Sequence, residues 1–258
     1  MKVIKVKLSK EFKFLEIHTF SDWHIGEKHC NIKNILEQVE YVKNTPNAYV
    51  ILNGDLINNA TKTSVSDVYA EVISPMGQLE RLVEILEPIK DRILLVSIGN
   101  HEARTYRNDG IDLMALLCKQ LGIIDKYVCE GGVLFLRFGE QTSHNHKRPV
   151  CYTAYVSHGS GGGKKVGGKA NGLVDKACIV DTDIYIIGHH HTPIATRQGY
   201  FRIDTKNSTV AKIDKLFVCT ASQVEFGGYG ETYGFAPSST ENPVIVLDGT
   251  RKHYKTKL

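Results

Sequence analysis

Five short apolar runs in this chain end in the same kind of residue, and that repetition constrains the fold more than any bulk property. Residues 14–26 (FLEIHTFSDWHIG) open with Leu15, Ile17, Thr19 and Phe20, which suit a pleated, half-buried segment, and stop at Asp22-Trp23-His24. Residues 49–52 (YVIL) close on Asn53-Gly54-Asp55, and residues 92–98 (RILLVSI) on Gly99-Asn100-His101-Glu102. Residues 152–157 (YTAYVS) close on His158-Gly159, and residues 184–187 (IYII) on Gly188-His189-His190-His191. A lone Asp-x-His at a strand end arises often by chance. In an open sheet with helical crossovers, however, the carboxyl ends of the strands converge on one crevice, where such folds bind ligands. Five runs delivering Asp, Asn or His to one edge therefore predict a composite site.

The segments between the runs fit this picture. Ile32, Ile35, Leu36, Val39 and Val42 recur at helical spacing, with Pro46 beyond them, so a strand–helix–strand unit is expected through Leu52. Residues 56–66 read as a polar loop over the crevice, and residues 67–89 as helix broken at Pro75. A further helix is expected over 111–121. Residues 128–138 and 150–157 read as antiparallel strands joined by the polar stretch 139–148. A glycine-rich loop (159–168) leads to a helix over 169–179. Strands near 201–203, 215–220 and 244–247 point to a second sheet completed by the C-terminal third. With no internal repeat or linker, one domain spanning 1–258, built of layered sheets with helices outside, is the economical reading.

Composition excludes a few classes. The net charge of +4 neither demands nor excludes a nucleic-acid partner. No apolar run of about 18 residues indicates a membrane span, and the start MKVIKVKLSKEFKF lacks the features of a secretory signal. A soluble, cytoplasmic protein without a membrane partner is expected. Cys30, Cys118, Cys129, Cys151, Cys178 and Cys219 form no CxxC pair; they read as reduced core thiols rather than a disulfide framework or a cysteine zinc site.

The candidate ligands are Asp22, His24, Asp55, Asn100, His158, His189 and His191. Carboxylates, an amide oxygen and imidazoles suit two divalent ions of the zinc, iron or manganese kind. One carboxylate can bridge them, and paired ions about 3.5–4 Å apart can deprotonate a shared water and hold a phosphate against it. His101 is left uncommitted beside a ligand, able to donate a proton to a leaving oxygen or to stabilise its charge. Each residue also has a plainer reading. Singly, Asp55 after Gly54 is a turn residue, Asn100 a helix cap, His158 a satisfied polar group, and His189 to His191 a solvated tract. Together they are better explained by a metal site, with His190 facing outward.

The ordered set Asp22-x-His24, Gly54-Asp55, Gly99-Asn100-His101-Glu102, His158 and Gly188-His189-x-His191 resembles the calcineurin-like metallophosphoesterases over residues 14–193. The resemblance implies a four-layer α/β/β/α sandwich of two mixed β-sheets flanked by helices. It also implies hydrolysis of a phosphoester at a binuclear centre of two divalent metal ions, with Mn²⁺ the first choice and Zn²⁺, Fe²⁺/Fe³⁺, Ni²⁺ or Mg²⁺ the others. By motif, Asp22, His24 and His191 hold one ion, Asn100, His158 and His189 the other, and Asp55 bridges. His101 is the leaving-group histidine, and Glu102 orients it.

Residues 18–26 look like the branch of DNA-repair exonucleases, which carries a DNA-capping extension, for which this chain is short, and an ATPase partner. The arginine that Ser/Thr protein phosphatases place after the bridging Asp is missing from Leu56-Ile57-Asn58-Asn59. The expected activity is a phosphodiesterase acting on nucleotides or nucleic acid. The alternatives are a double-strand-break-repair type of exo- or endonuclease, a phosphatase, and a non-catalytic metal-binding interaction module. Residues 163–170 miss a nucleotide-binding P-loop because Ala170 stands where Ser or Thr is needed. Lys164, Lys165 and Lys169, like Arg104 and Arg107, either approach the substrate phosphate or are simply solvated. The aromatic, glycine-hinged segment 226–235 either lines a leaving-group pocket or packs in the core.

Overall fold

Strands and helices alternate through the first half of the chain: β1 (Lys2–Leu8), β2 (Phe14–Phe20), α1 (Ile32–Asn44), β3 (Ala48–Asn53), α2 (Pro75–Leu86), β4 (Ile93–Ser97), α3 (Glu102–Asp109), α4 (Leu113–Gln120) and β5 (Tyr127–Val128). Strands dominate the second half: β6 (Gly131–Phe138), β7 (Val150–Ser157), α5 (Val166–Val174), β8 (Ile184–Ile187), β9 (Ile194–Asp204), β10 (Thr209–Cys219), β11 (Val244–Asp248) and β12 (Tyr254–Lys257). The structure, a computed structural model, describes residues 1–9, 12–62, 64, 68–139, 149–227, 231 and 234–257. Among these, the strands form two six-stranded mixed sheets, ordered β1-β6-β7-β8-β10-β9 and β12-β11-β2-β3-β4-β5.

Side-chain alternation along each strand assigns the layers. On β3, Ile51 faces the other sheet with Leu15, Ile17 and Leu95, against Leu136, Val156 and Ile186. Its neighbours Val50 and Leu52 face outward onto Val39 of α1, Leu82 of α2 and Leu117 of α4. On the far side, Tyr155, Tyr185 and Phe217 cover Leu173 of α5. The order is helix, sheet, sheet, helix, the expected four layers. Because both faces of the central strands are buried, they read as unbroken apolar runs. Truncating fully buried Ile51 to alanine removes contacts with the opposite sheet, at a cost of about 2–5 kcal/mol.

This architecture splits the five runs. β2, β3 and β4 are parallel neighbours in one sheet, whereas β7 and β8 are parallel neighbours in the other. The crevice therefore straddles two facing sheets rather than the edge of one.

Several expectations need correction. Pro75 does not break a helix: it opens α2, with the Ser74 side chain accepting from Gly77 N–H, since proline at the first helical position gives up only an N–H that has no helical partner. The C-terminal strands do not form one sheet. β9 and β10 make a hairpin completing the sheet of β8, while β11 returns antiparallel to β2. Residues 56–60 form a buried wall instead of a loop over the crevice, with Ile25 and Ile57 bridged. The helix expected over 169–179 begins earlier, as α5, and ends in a 3₁₀ turn at Asp175–Cys178. Cys118 and Cys219 are buried thiols, but Cys129 and Cys178 are exposed. Most of the 139–148 connection lies outside the described residues, as do 63, 65–67, 228–230, 232 and 233. No helix among the described residues is long and apolar enough to cross a membrane.

Candidate metal centre

The strand ends turn by an uncommon device. Asp22, His24, Asp55, His189 and His191 have φ between +49° and +66°, in the left-handed region that side chains other than glycine seldom occupy. The chain thus reverses as each strand finishes and directs the end residue into the crevice. Between two such residues Trp23 is fully buried in the core beneath α1 and α2, its ring tilted by 40° against that of Phe20 with centroids 5.0 Å apart, so Asp22 and His24 share the opposite side. The glycines before the ligands are there for space. A Cβ on Gly54 would strike the backbone of Gly99, and one on Gly188 would strike the Ser21 hydroxyl.

All seven expected ligands meet in two half-sites. In the first, His24 Nε2 lies 3.1 Å from His191 Nε2, which lies 3.2 Å from Asp22 Oδ1. In the second, Asn100 Oδ1 is 2.8 Å from His189 Nδ1 and 3.2 Å from His158 Nε2, and the latter is 3.1 Å from Asp55 Oδ2. Ligand-capable atoms gather in three overlapping groups: Asp22, His24, His191; His24, Asp55, His101; and Asp55, His158, His189. Asp55 belongs to two of them and so stands between the half-sites. His190 is half-buried and outside these groups; its carbonyl accepts from Lys169 Nζ.

Hydrogen bonds fix which nitrogen each imidazole presents. His158 Nδ1 donates to Asn53 O at 2.7 Å, turning Nε2 toward Asp55. His189 Nε2 donates to Gly161 O at 2.8 Å, leaving Nδ1 for Asn100. Such partners set the tautomer of a metal-binding histidine. Beneath them Asn53 joins the sheets, donating to Ser157 O and accepting from Ser97 Oγ. Asp22 is held from the C-terminal third as well: Ser222 Oγ and Gln223 N donate to its carbonyl. Its carboxylate accepts from Ser21 Oγ at 2.5 Å and from His189 N–H.

The charges are divided unequally. Burial opposes ionisation of Asp22, but contact with His191 and the field of His158 bring its pKa down to about 2. Burial likewise opposes the charge on His158, yet adjacent Asp55 outweighs it and raises the pKa to about 10. Asp55 is correspondingly held well below the usual carboxylate range. Burial, with neighbouring imidazolium charge, pushes His24 and His189 down. Two carboxylates held in their anionic form, an amide oxygen and imidazoles make up a donor set that suits borderline divalent cations. At most one of the facing nitrogens of His24 and His191 can carry a hydrogen between them, an arrangement that a shared cation satisfies better.

The roles of nearby residues differ from expectation at one point. Glu102 does not orient the His101 ring. Its fully buried carboxylate accepts four backbone N–H bonds, from Leu56 (2.6 Å) and Ile57 (3.2 Å) on Oε1 and from Asp55 and Gly99 (both 2.9 Å) on Oε2. Burial and the Asp55 carboxylate push its pKa up to about 7 against the lowering by its backbone donors, and four donors on two oxygens favour the ionised form. Glu102 thus clamps the turns that present Asp55 and Asn100. His101 is oriented instead by Asn58 O, 2.7 Å from Nδ1, and by Asn59, whose Nδ2 donates to the His101 carbonyl. Gln78 of α2 accepts from Asn59 N–H. His101 Nε2 faces Asp55 Oδ2 at 3.8 Å.

Of the basic residues singled out, Lys169 donates to His190 O and Thr192 Oγ1 and so steadies the histidine turn. Lys164 stacks over Phe235 at 5.8 Å, bringing the glycine-rich loop against the late aromatic segment. Arg104 reaches His101, whereas Arg107 is exposed.

Two facing sheets whose strand ends bring carboxylates, an amide and imidazoles to one crevice define a protein built to hold divalent ions. The sequence model of the calcineurin-like phosphoesterases matches residues 15–200, and the chain belongs to that family. No curated protein matches it. Among solved structures it is similar to a conserved protein of Streptococcus pneumoniae described as a predicted phosphoesterase (16% identity, 94% of this chain and 88% of that one, TM-score 0.37). It is also similar to a Vps29 single mutant from Entamoeba histolytica (12%, 95% and 100%, 0.42) and to the Pseudomonas putida nuclease MPE (14%, 93% and 87%, 0.38).

Proposed function

We propose that the chain is a metal-dependent phosphodiesterase acting on nucleotides or nucleic acid. The observation behind this reading is the pair of half-sites sharing Asp55, with His101 Nε2 3.8 Å from that carboxylate. Asp22, His24 and His191 would hold one ion, Asn100, His158 and His189 the other, with Asp55 between; Mn²⁺ is the proposed ion for this oxygen- and imidazole-rich set. Two such ions, when bound, supply positive charge for phosphoryl oxygens and lower the pKa of water. The chain's own part is positional. The left-handed turns fix the ligands, Glu102 clamps the Asp55 and Asn100 turns, and His101 stands beside the crevice to serve the leaving oxygen. Retention of His101 together with all seven ligand-capable side chains supports turnover over a non-catalytic interaction module.

The test is turnover of bis-p-nitrophenyl phosphate and p-nitrophenyl phosphate by protein reconstituted with Mn²⁺, Zn²⁺, Fe²⁺, Ni²⁺ or Mg²⁺. Ion-dependent hydrolysis of the diester is expected. Hydrolysis of the monoester alone would make it a phosphatase, and no turnover with any ion would favour the interaction module. Nucleotides and single- and double-stranded DNA then separate the substrate classes.

A further inference from the structure

The proposed hydrolase leaves unexplained a cation seated on its leaving-group histidine. His101 Nδ1 lies against the Asn58 carbonyl and must donate to it, so Nε2 presents its unshared pair. Arg104 Nη2 donates to that pair at 2.9 Å, on the nitrogen that faces Asp55. The guanidinium is anchored from behind, with Nη1 donating to Asn58 O at 3.0 Å and lying 3.4 Å from Asn59 O. Arg104 is one helical turn beyond His101, on the same side of α3, and is half-buried. While Nη2 occupies Nε2, His101 cannot serve a leaving oxygen.

A planar guanidinium bonds an anionic phosphate oxygen more strongly than a neutral imidazole nitrogen. An anionic oxygen placed beside Nε2 would stand within reach of Nη2, because the two nitrogens already touch. We propose that Arg104 is the phosphate-binding residue of this site. It exchanges His101 Nε2 for a non-bridging oxygen of the entering phosphoester, so that only when substrate is present is Nε2 free to take a proton from solvent and pass it to the leaving oxygen. This rests on the phosphoesterase reading and adds to it the group that recognises the phosphate.

The experiment compares wild type, Arg104→Gln, Arg104→Lys and, as control, Arg107→Gln. All are loaded with Mn²⁺ and measured for metal content, for calorimetric binding of inorganic orthophosphate, and for KM and kcat on bis-p-nitrophenyl phosphate. Arg104→Gln should keep its manganese, bind orthophosphate about tenfold or more weakly, the loss appropriate to one charge-assisted bond, and raise KM. Arg104→Lys should recover part of the binding, and Arg107→Gln should match wild type. Orthophosphate affinity in Arg104→Gln within about twofold of wild type would overturn the proposal, by the same yardstick. So would loss of manganese from both Arg104 variants, which would make the residue a structural support. If wild type neither turns over diester nor binds orthophosphate, the phosphoesterase reading itself fails. Wild-type turnover with an indifferent Arg104→Gln removes only the role of Arg104.

Discussion

Replacing Glu102 with glutamine changes one atom and tests how the centre is held. Each carboxylate oxygen accepts two backbone N–H groups, so an amide NH₂ on either side must face two donors. Two buried N–H groups are then orphaned, at about 1–3 kcal/mol each. Relief of repulsion with Asp55, which helps push the Glu102 pKa up to about 7, offsets part of that loss. The net cost is roughly 2–4 kcal/mol, or a melting temperature lower by roughly 5–15 °C for a chain of this length. Urea and thermal unfolding of the metal-free protein measure it, and metal content should fall too, because the turns carrying Asp55 and Asn100 are no longer pinned. A loss below about 0.5 kcal/mol would refute the reasoning: it would mean that the carboxyl is protonated, with glutamine its equivalent. A fall in kcat alone, with stability and metal intact, would restore Glu102 as the orienter of His101.

Three other side chains give separable outcomes. His101→Ala should retain metal and lose turnover by roughly 10²–10⁴-fold, whereas Asp55→Ala should lose metal; equal metal loss, measured by mass spectrometry, would contradict the division of roles. His158, with its pKa raised to about 10 beside Asp55, carries a proton in the metal-free protein at neutral pH and must release it to become a ligand. Metal titrations at pH 8 in buffers of different ionisation enthalpy should therefore report about one proton released per His158 site, and zero release would rule this out. The sign for stability follows. With its folded pKa above 6.5, the His158 contribution to the metal-free protein is full below that pH and is lost as pH rises through about 10.

The gathering of the candidate ligands was legible in the sequence because carboxylate, amide and imidazole groups at the ends of apolar runs have few other reasons to recur. Helix α1 was legible from its spacing. Sheet membership was not: residues such as Val50 and Ile51 are buried on opposite faces, so no alternation marks which sheet a run joins. Helix α3, EARTYRND, has almost no apolar stripe and went unseen, and with it the difference between Arg104 on His101 and Arg107 in solvent. Glu102 was misread because a glutamate beside a histidine is the same letter whether it faces the ring or four backbone amides. Ser222 and Gln223, common residue types about 200 positions from Asp22, carry no local sign that they grip it.

The left-handed turns bear on how the seven candidate ligands can be gathered at all. Among the described residues other than glycine, seven have positive φ, and all but Ser208 belong to the centre. For a residue with a Cβ this conformation costs about 1–2 kcal/mol, less for Asp, Asn and His than for most others. His191, at φ +51° and with a side chain 43% exposed, allows the cost to be measured almost alone. His191→Ala and His191→Gly both remove the imidazole and its contact with Asp22, so they differ only in the Cβ at a left-handed position. In the metal-free state the glycine variant should be the more stable by about 1 kcal/mol, even though glycine also loses more entropy on folding. Chemical denaturation of the two variants side by side reads the difference directly. If alanine proves equal or better, the backbone at His191 is not held in the left-handed region and the turn is not what aims its ring. If glycine is better, the centre is a strained arrangement in which hydrogen bonds, and ions when bound, keep histidines in a conformation that they would otherwise leave.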